Sequence, residues 1–272
     1  MQIRWVAISG VMFAILLFAS CSCGIAKKGH QEDKDYTTFV VENDVEKDFE
    51  VGLPQTALAN EIIIRRKAYT VSYNKETKCP NWVMWRLTAE HSDGPVNRSY
   101  FYEDNDVPAP RATLADYRCS GWSRGHMCPA GDNKWDRQAM NETFSLVNIC
   151  PQDERLNSGL WNSIEMDCRK WARRFGDVYI VCGPLFYRQE HTTIGSNKVY
   201  VPEAFFKVVL CLTGMPKGMG FVVKNNAGTK KRDLYYNSID QVERITGIDF
   251  FPLLPNDLEE EIESSLDMDL WR

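Results

Sequence analysis

The sequence predicts an α+β fold, with helices packed on a mixed or antiparallel sheet in a single domain. Short runs rich in β-branched and aromatic residues are interspersed with helical segments, without the regular strand–helix–strand alternation typical of a parallel sheet. A hydrophobic content of 44% and a charged content of 25% over 272 residues are those of an ordinary globular protein. We find no internal repeat of about 20–50 residues, which excludes a solenoid.

Residues 1–20 are expected to be a signal peptide of the lipoprotein type. The run of residues 5–19 is almost wholly apolar and would span about 22 Å as a helix, which is short of the ~30 Å hydrocarbon core. Small residues then precede Cys21, as at a bacterial lipoprotein cleavage site, although Phe18 stands where an aliphatic residue is usual. We therefore expect export and a lipid anchor on Cys21, in the periplasm or at the cell surface. Lipid on Cys23, plain secretion and an uncleaved anchor are the alternatives.

Charge divides the rest of the chain into three parts. Residues 21–59 are polar and acidic and predict a flexible tether, residues 60–255 the folded domain, and residues 256–272 an acidic C-terminal tail. The region between the two acidic ends has a small excess of Lys and Arg. The ends are either solvated tails or segments that discourage non-productive contacts with polyanions.

The cysteines agree with export but leave their pairing open. Without Cys21 and Cys23, seven of the nine cysteines remain, and an oxidising compartment would allow disulfides of unknown connectivity. A zinc site is disfavoured because no C-x-x-C pair occurs and the four histidines are scattered.

The predicted elements follow from residue type and periodicity. Runs of β-branched, aromatic and other apolar residues predict strands at 68–73, 82–88, 144–149, 177–182, 205–212 and 220–224. Residues 91–111 carry Gly and Pro and are expected to form an exposed loop, whereas residues 132–144 contain helix formers. Apolar residues at spacings of three and four predict the clearest helix over 160–175, which ends before Gly176. Ser238 is a plausible cap for a short helix that ends at Thr246.

The most informative segment runs from Ser123 to Pro129 and contains Arg124, Gly125 and His126. A neutral imidazole can accept a proton from water near pH 7, and an arginine fork suits phosphate oxygens. Glycine lets the backbone turn or approach a ligand closely. A histidine in isolation is more often structural than catalytic, so this interpretation depends on its neighbours.

A second set of polar residues follows at a spacing of four along the long helix. On one helix, Asn157, Glu165 and Arg169, with the apolar Trp161 between the first two, would form a slanted row. A carboxamide oxygen beside a carboxylate suits Mg²⁺, which prefers hard oxygen ligands. Taken singly, Asn157 could be only a helix cap, and Glu165 with Arg169 only a surface ion pair.

Together these residues resemble the signature of the DNA/RNA non-specific endonucleases, the ββα-metal nucleases that include endonuclease G-like proteins. The first motif reads Tyr117-x-x-Ser120-Gly121-Trp122-Ser123-Arg124-Gly125-His126-Met127-x-Pro129. Further motifs follow in the family's order: Asp136-x-x-Ala139-Met140-x-x-Thr143-Phe144, Leu146-x-Asn148-Ile149-x-Pro151-Gln152, Leu156-Asn157-x-x-x-Trp161-x-x-x-Glu165, Val181-x-Gly183-Pro184-Leu185 and Val201-Pro202-x-x-Phe205-Phe206-Lys207. The resemblance covers roughly residues 60–255 and implies a ββα-metal finger at the active site.

The resemblance implies a role for each candidate residue. His126 would be the general base that activates water, Asn157 the direct protein ligand of Mg²⁺, and Glu165 a ligand that acts through a metal-bound water. Mn²⁺ or Ca²⁺ would be substitutes for Mg²⁺. Asn148 would support the histidine or the scissile phosphate. Three arginines would contact phosphates: Arg124, Arg169 and, from a less specific motif, Arg111.

One position departs from the family, since Ser123 stands where an aspartate is usual. The lost negative charge puts metal affinity and the pKa of His126 in question. We expect an exported, Mg²⁺-dependent endonuclease that hydrolyses DNA and RNA. Its cleavage should lack sequence preference, because no sequence-reading DNA-binding motif is present. Other basic residues, above all Lys170, Arg173 and Arg174 late in the helix, would add phosphate contacts. The alternatives are a catalytically silent nucleic-acid-binding lipoprotein and a phosphodiesterase for small diesters. A homodimer is also left open.

Overall fold

An eight-stranded sheet forms the centre of the protein in a computed structural model, which describes residues 39–41, 50–57, 61–226 and 231–272. The strands are β1 (Phe39–Val41), β2 (Gln55–Thr56), β3 (Glu61–Arg65), β4 (Thr70–Asn74), β5 (Cys79–Leu87), β6 (Ser123–His126), β7 (Ile149–Gln152), β8 (Val178–Leu185), β9 (Thr193–Ile194), β10 (Val199–Tyr200), β11 (Ala204–Cys211), β12 (Lys217–Lys224), β13 (Tyr236–Asn237) and β14 (Ile248–Asp249). The helices are α1 (Leu114–Tyr117), α2 (Arg137–Glu142), α3 (Glu154–Leu156), α4 (Asn162–Phe175), α5 (Ile239–Thr246) and α6 (Asn256–Glu263). The predicted α+β class is confirmed.

The main sheet has the order β1-β3-β4-β5-β8-β11-β12-β13, and only its β1–β3 pair is parallel. Its central strands are buried on both faces, so they are continuously apolar rather than alternating. One face packs against α4 through Ile164, Cys168 and Trp171. The other face packs against α5 and α6 through Ile239, Val242 and Ile262. The candidate site therefore has a rigid support, since β6, β7 and α4 lie on one buried face.

The strand predicted over 144–149 is wrong in its position. Leu146–Asn148 form a 3₁₀ turn, in which the Ser145 hydroxyl accepts a hydrogen bond from the Val147 backbone, and β7 begins only at Ile149. The strand also continues through Pro151 instead of ending there. A proline fits because β6 and β7 form an isolated two-stranded ribbon, so one edge of β7 needs no donor.

The acidic C-terminal segment was expected to be a solvated tail, and this expectation is also wrong. Residues 256–263 form α6, and Trp271 is 4% exposed. The Trp171 indole donates a hydrogen bond of 3.2 Å to the Trp271 carbonyl, and the Lys217 ammonium lies 3.5 Å from the Phe175 ring beside it. A few apolar residues that face inward thus dock a segment whose other side chains are acidic and exposed.

The predicted tether also contains structured residues. Phe39–Val41 pair with β3, Val51 is 1% exposed in the core, and β2 pairs with β14. The predicted signal peptide, Cys21 and Cys23 lie outside the described residues. Within the described ranges, no helix is both long and apolar enough to cross a membrane.

The cysteines of the described region are free thiols: Cys79, Cys119, Cys128, Cys150, Cys168, Cys182 and Cys211. Cys119 is exposed and the others are buried, where they pack as small apolar side chains.

Candidate active site

The predicted residues meet at a cleft of about 770 Å³ between the β6–β7 ribbon and the long helix. Five of the predicted site residues line it: Arg124, His126, Asn157, Glu165 and Arg169. Asn148 and Arg111 are not among the lining residues. Residues that the sequence analysis did not single out complete the wall, namely Arg98, Phe101, Arg118 and Asn162.

His126 ends β6 with its imidazole against two aromatic rings. The ring centroids of Phe101 and Phe144 lie 5.2 Å and 5.0 Å from it, and the side chain is only 8% exposed. Its Nε2 atom has no hydrogen-bond partner within the described part of the chain. Burial, followed by the charges of Arg98 and Arg124, lowers the pKa of His126 to about 3. The imidazole is therefore neutral at pH 7 and has a nitrogen free for a ligand.

The ribbon is tight at the residue before His126. Gly125 is opposite Cys150 in the ribbon, and a Cβ built on it would lie 2.2 Å from the Gln152 side-chain oxygen. Only glycine allows this approach without displacing Gln152. Arg124 and His126 project to the same side of β6 because strand side chains alternate. Glycine in this motif thus lets the strand place a base and a phosphate-binding cation together.

Asn148 supports the strand and does not contact the cleft. It is fully buried, and its oxygen accepts a hydrogen bond from the Cys128 backbone at 2.9 Å. Its amide nitrogen donates to the Cys128 and Thr143 carbonyls at 2.9 and 2.8 Å. With these bonds made, Asn148 has no donor left for a phosphate. Of the two predicted roles, the structure agrees with support of the segment that follows His126.

Asn157 lies within the helix rather than at its cap. The cap is Asp153, whose side chain accepts hydrogen bonds from the backbones of Arg155 and Leu156. Asn157 begins a π-helical turn, Asn157–Trp161, between α3 and α4. Such turns widen the helix locally and often occur at functional sites. The Trp161 indole also donates a 3.4 Å hydrogen bond to the His126 carbonyl, which ties this turn to β6.

The carboxyl of Glu165 faces the cleft and has a raised pKa. Burial raises its pKa to about 7, against the opposing charges of Lys207 and Arg169. No hydrogen bond from a described group offsets this burial. The side chain is half-buried at the cleft wall and accepts no hydrogen bond from the described residues, so it is suited to a cation or to ordered water.

Arg169 is held by a carboxylate that the sequence analysis did not identify. Its guanidinium lies 2.7 Å from Asp132, which is 1% exposed and also accepts a 3.1 Å hydrogen bond from the Trp85 indole. The predicted surface pair of Glu165 with Arg169 is therefore wrong, since Arg169 pairs with Asp132 instead. Lys207 lies beneath, fully buried, 4.6 Å from the Trp161 ring. An acidic residue shortly after the His126 motif and a lysine in an apolar strand were the signals available in the sequence.

The predicted phosphate contacts divide into two groups. Arg124 is exposed at the cleft and lies 4.4 Å above the Phe101 ring. By contrast, Arg111 is engaged elsewhere, donating to the Val107 carbonyl at 2.9 Å and to Asn105 at 2.6 Å. The structure therefore does not bring Arg111 to the cleft. The late helical cations Lys170, Arg173 and Arg174 do not line it either.

Two arginines that were not predicted, Arg98 and Arg118, line the cleft wall. Arg98 comes from the loop over 91–111 that was expected only to be exposed, and it lies 5.3 Å above the Phe144 ring. No local pattern marks either arginine. Ser123 also lines the cleft, so the position where the family has an aspartate faces the site but carries no charge.

Comparison with known proteins gives a consistent result. The family model described as DNA/RNA non-specific endonuclease matches residues 48–257. The chain is 35% identical to the mitochondrial nuclease EXOG of Homo sapiens over 263 residues, which cover 89% of this chain and 68% of that protein. It is also 35% identical to the mitochondrial endonuclease G of Bos taurus over 217 residues, 74% of this chain and 71% of the other.

A solved structure has a similar fold. A crystal structure of the EndoG/EndoGI complex, which concerns the mechanism of EndoG inhibition, aligns with a TM-score of 0.70 and 26% identity. The alignment covers 77% of this chain and 91% of the other.

Proposed function

This chain belongs to the DNA/RNA non-specific endonuclease family. We propose that it is an exported, Mg²⁺-dependent endonuclease in which His126 is the general base. One observation carries the proposal. A neutral histidine with an unpartnered Nε2 lies in the same cleft as exposed arginines and an amide–carboxylate pair. That combination suits hydrolysis of an anionic diester by an activated water.

The residues present fit a hard divalent metal. Asn157 and Glu165 line one wall of the cleft, and both offer oxygen ligands, which Mg²⁺ prefers. The half-buried Glu165 carboxyl faces the cleft without a hydrogen-bond donor from the described residues, so a cation would offset its charge. We propose Asn157 as the direct ligand and Glu165 as a ligand through water. When bound, the metal polarises a phosphate oxygen and stabilises the charge on the leaving oxygen.

His126 takes a proton from the attacking water in the proposed reaction. Its low pKa keeps the imidazole neutral but also makes it a weak base. A bound phosphodiester would offset the charges of Arg98 and Arg124, the two arginines that contribute to this low pKa. Substrate binding would thus raise the pKa of His126 towards the working pH, although burial would continue to hold it down.

The arginines hold the phosphate and stabilise the charge that grows on it in the transition state. Arg98, Arg118 and Arg124 are exposed at the cleft, whereas Arg169 is oriented by Asp132. These are contacts to the phosphate backbone, which is common to every sequence, so they support cleavage without sequence preference. No lining group is assigned to the 2′-hydroxyl, which accords with action on both DNA and RNA.

The direct test is degradation of plasmid DNA and of RNA with and without Mg²⁺. We expect wild-type activity with Mg²⁺, none in EDTA, and loss of at least about 100-fold in His126→Ala. His191→Gln is the control, because His191 pairs with Glu203 at 3.0 Å and is not in the cleft. Wild-type rates in His126→Ala would refute the assignment of the base. Binding of nucleic acid without cleavage would favour the catalytically silent alternative, and cleavage of a small chromogenic diester alone would favour the phosphodiesterase.

We also propose that the protein is exported and anchored by a lipid on Cys21. The support is the apolar run of residues 5–19 followed by small residues before that cysteine. Labelling with radioactive palmitate in a bacterial host should mark the wild type and Cys23→Ser but not Cys21→Ser. Label retained in Cys21→Ser would exclude this attachment site.

A further inference from the structure

Two helices are brought close together on the sheet face opposite the cleft. A Cβ built on Gly218 would lie 2.4 Å from the Ile239 side chain of α5 and 2.8 Å from the Ile262 side chain of α6. A Cβ on Gly220 would lie 2.3 Å from Val242. These glycines of β12 therefore let α5 and α6 sit against the strand. Met219 and Phe221, which alternate with them, belong to the core on the other face, where α4 packs.

Three carboxylates converge where these helices meet. Asp240 and Glu243 of α5 and Glu263 of α6 each have a carboxylate oxygen within 4.8 Å of the others. We call this group the α5–α6 carboxylate cluster. Like charges at this distance repel one another, and the nearby Asp249 and Glu259 add to the negative field.

The partners of the cluster leave most of this charge uncompensated. Asp240 has an ion pair of 3.7 Å with Arg244, whose side chain is 67% exposed and thus well screened by water. Glu243 accepts a 2.9 Å hydrogen bond from the Phe250 backbone. Neither of these contacts reaches Glu263.

The burial of Glu263 without a partner for one carboxyl oxygen points to a ligand. It is 2% exposed, and its Oε1 atom is buried without a hydrogen-bond partner in the described part of the chain. Burying an unpaired carboxylate is strongly unfavourable, and buried charges in proteins are normally paired or coordinate metals. An oxygen-only site of three carboxyl groups suits a divalent cation.

We propose that the α5–α6 carboxylate cluster binds a divalent cation of the Ca²⁺ class. The 4.8 Å limit on the oxygen separations leaves a point within about 2.8 Å of all three oxygens, so a small side-chain adjustment brings them to Ca²⁺–oxygen distances of about 2.3–2.6 Å. Ca²⁺ accepts several carboxylates in flexible geometry, whereas Mg²⁺ usually keeps most of its waters. The ion would tie α6, and with it the C-terminal segment, to α5. This proposal does not depend on the proposed nuclease activity.

The test is Ca²⁺ binding to metal-free full-length protein, with the cleft ligand removed by Asn157→Ala so that only the second site is measured. Extracellular Ca²⁺ modules have Kd values of roughly 10⁻⁴–10⁻³ M, so 10 mM Ca²⁺, an order-of-magnitude excess, should raise Tm by about 3–10 °C. Calorimetric titration should show one bound ion. When Glu263→Gln or Asp240→Asn is added to Asn157→Ala, both the Ca²⁺-dependent rise in Tm and the calorimetric binding signal should disappear. The matched control is Glu261→Gln, an exposed change on α6 that should leave both intact.

The readout is the Ca²⁺-dependent increment, because Glu263→Gln alone can change Tm by replacing a buried carboxyl that has no hydrogen-bond partner for Oε1 among the described residues. A full increment retained in both Glu263→Gln and Asp240→Asn would overturn the proposal. So would the absence of any Ca²⁺ effect in Asn157→Ala, since Ca²⁺ would then bind only at the cleft. If Asn157→Ala binds Ca²⁺ as expected but the wild type does not degrade nucleic acid, the nuclease proposal fails and this one stands.

Discussion

Acidification should destabilise the metal-free protein through His126. Its imidazole is 8% exposed and its pKa is about 3, against 6.5 for an ordinary histidine. The unfolded chain therefore binds a proton between these two pH values that the folded protein does not accept. Stability from this group is complete above pH 6.5 and is lost as the pH falls towards 3.

The size of this effect follows from the same shift. At pH 5 the unfolded histidine is about 1.5 pH units below its pKa and is protonated, whereas the folded histidine stays neutral. At about 1.4 kcal/mol for each unit, the free energy of unfolding should fall by about 2 kcal/mol on account of His126.

Urea denaturation in EDTA at the two pH values measures the effect. We expect the loss of stability between pH 7 and pH 5 to be about 2 kcal/mol smaller in His126→Gln than in the wild type, because other groups cancel in the difference. His126→Asn should behave like His126→Gln, since neither amide titrates. Equal pH dependence in wild type and both variants would show that His126 keeps an ordinary pKa in the folded protein, and the reasoning from burial would fail.

Four further predictions follow from the structure. Asn148→Ala should cost about 3 kcal/mol in unfolding free energy by urea titration, because three buried backbone groups lose their partner; a loss below about 1 kcal/mol would contradict the supporting role. Arg98→Ala should make DNA binding in EDTA less sensitive to salt, reducing the slope of log binding constant against log salt concentration by about 0.9. Arg111→Ala should leave this slope unchanged, and the reverse pattern would refute our assignment of Arg98 to the cleft. Trp271→Ala should cost about 3–5 kcal/mol, whereas a free tail predicts no change. Ser123→Asp should lower the Mg²⁺ concentration for half-maximal activity, and an unchanged value would show that this position does not influence the metal.

The sequence alone was sufficient for the fold class, for most strands and helices, and for the expectation that His126, Asn157 and Glu165 lie in one cleft. The helix capped by Ser238 was also correct: its hydroxyl accepts a hydrogen bond from the Gln241 backbone. These features depend on residues a few positions apart, through strand and helix periodicity, capping and the spacing of motifs. Such short-range relations can be seen in the order of the residues.

Only the tertiary structure decided which charges reach the cleft and which stay outside it. Arg98 and Arg111 lie in the same loop, but only Arg98 lines the cleft, because Arg111 donates hydrogen bonds to Val107 and Asn105. Asp132 captures Arg169 across 37 positions of chain, and Trp271 docks on Trp171 across 100 positions. Contacts of this length depend on how the sheet brings distant segments together, and composition does not reveal them. The sequence by itself thus determined which candidate residues are present, and the fold determined which of them share the cleft and the environment that sets their charge.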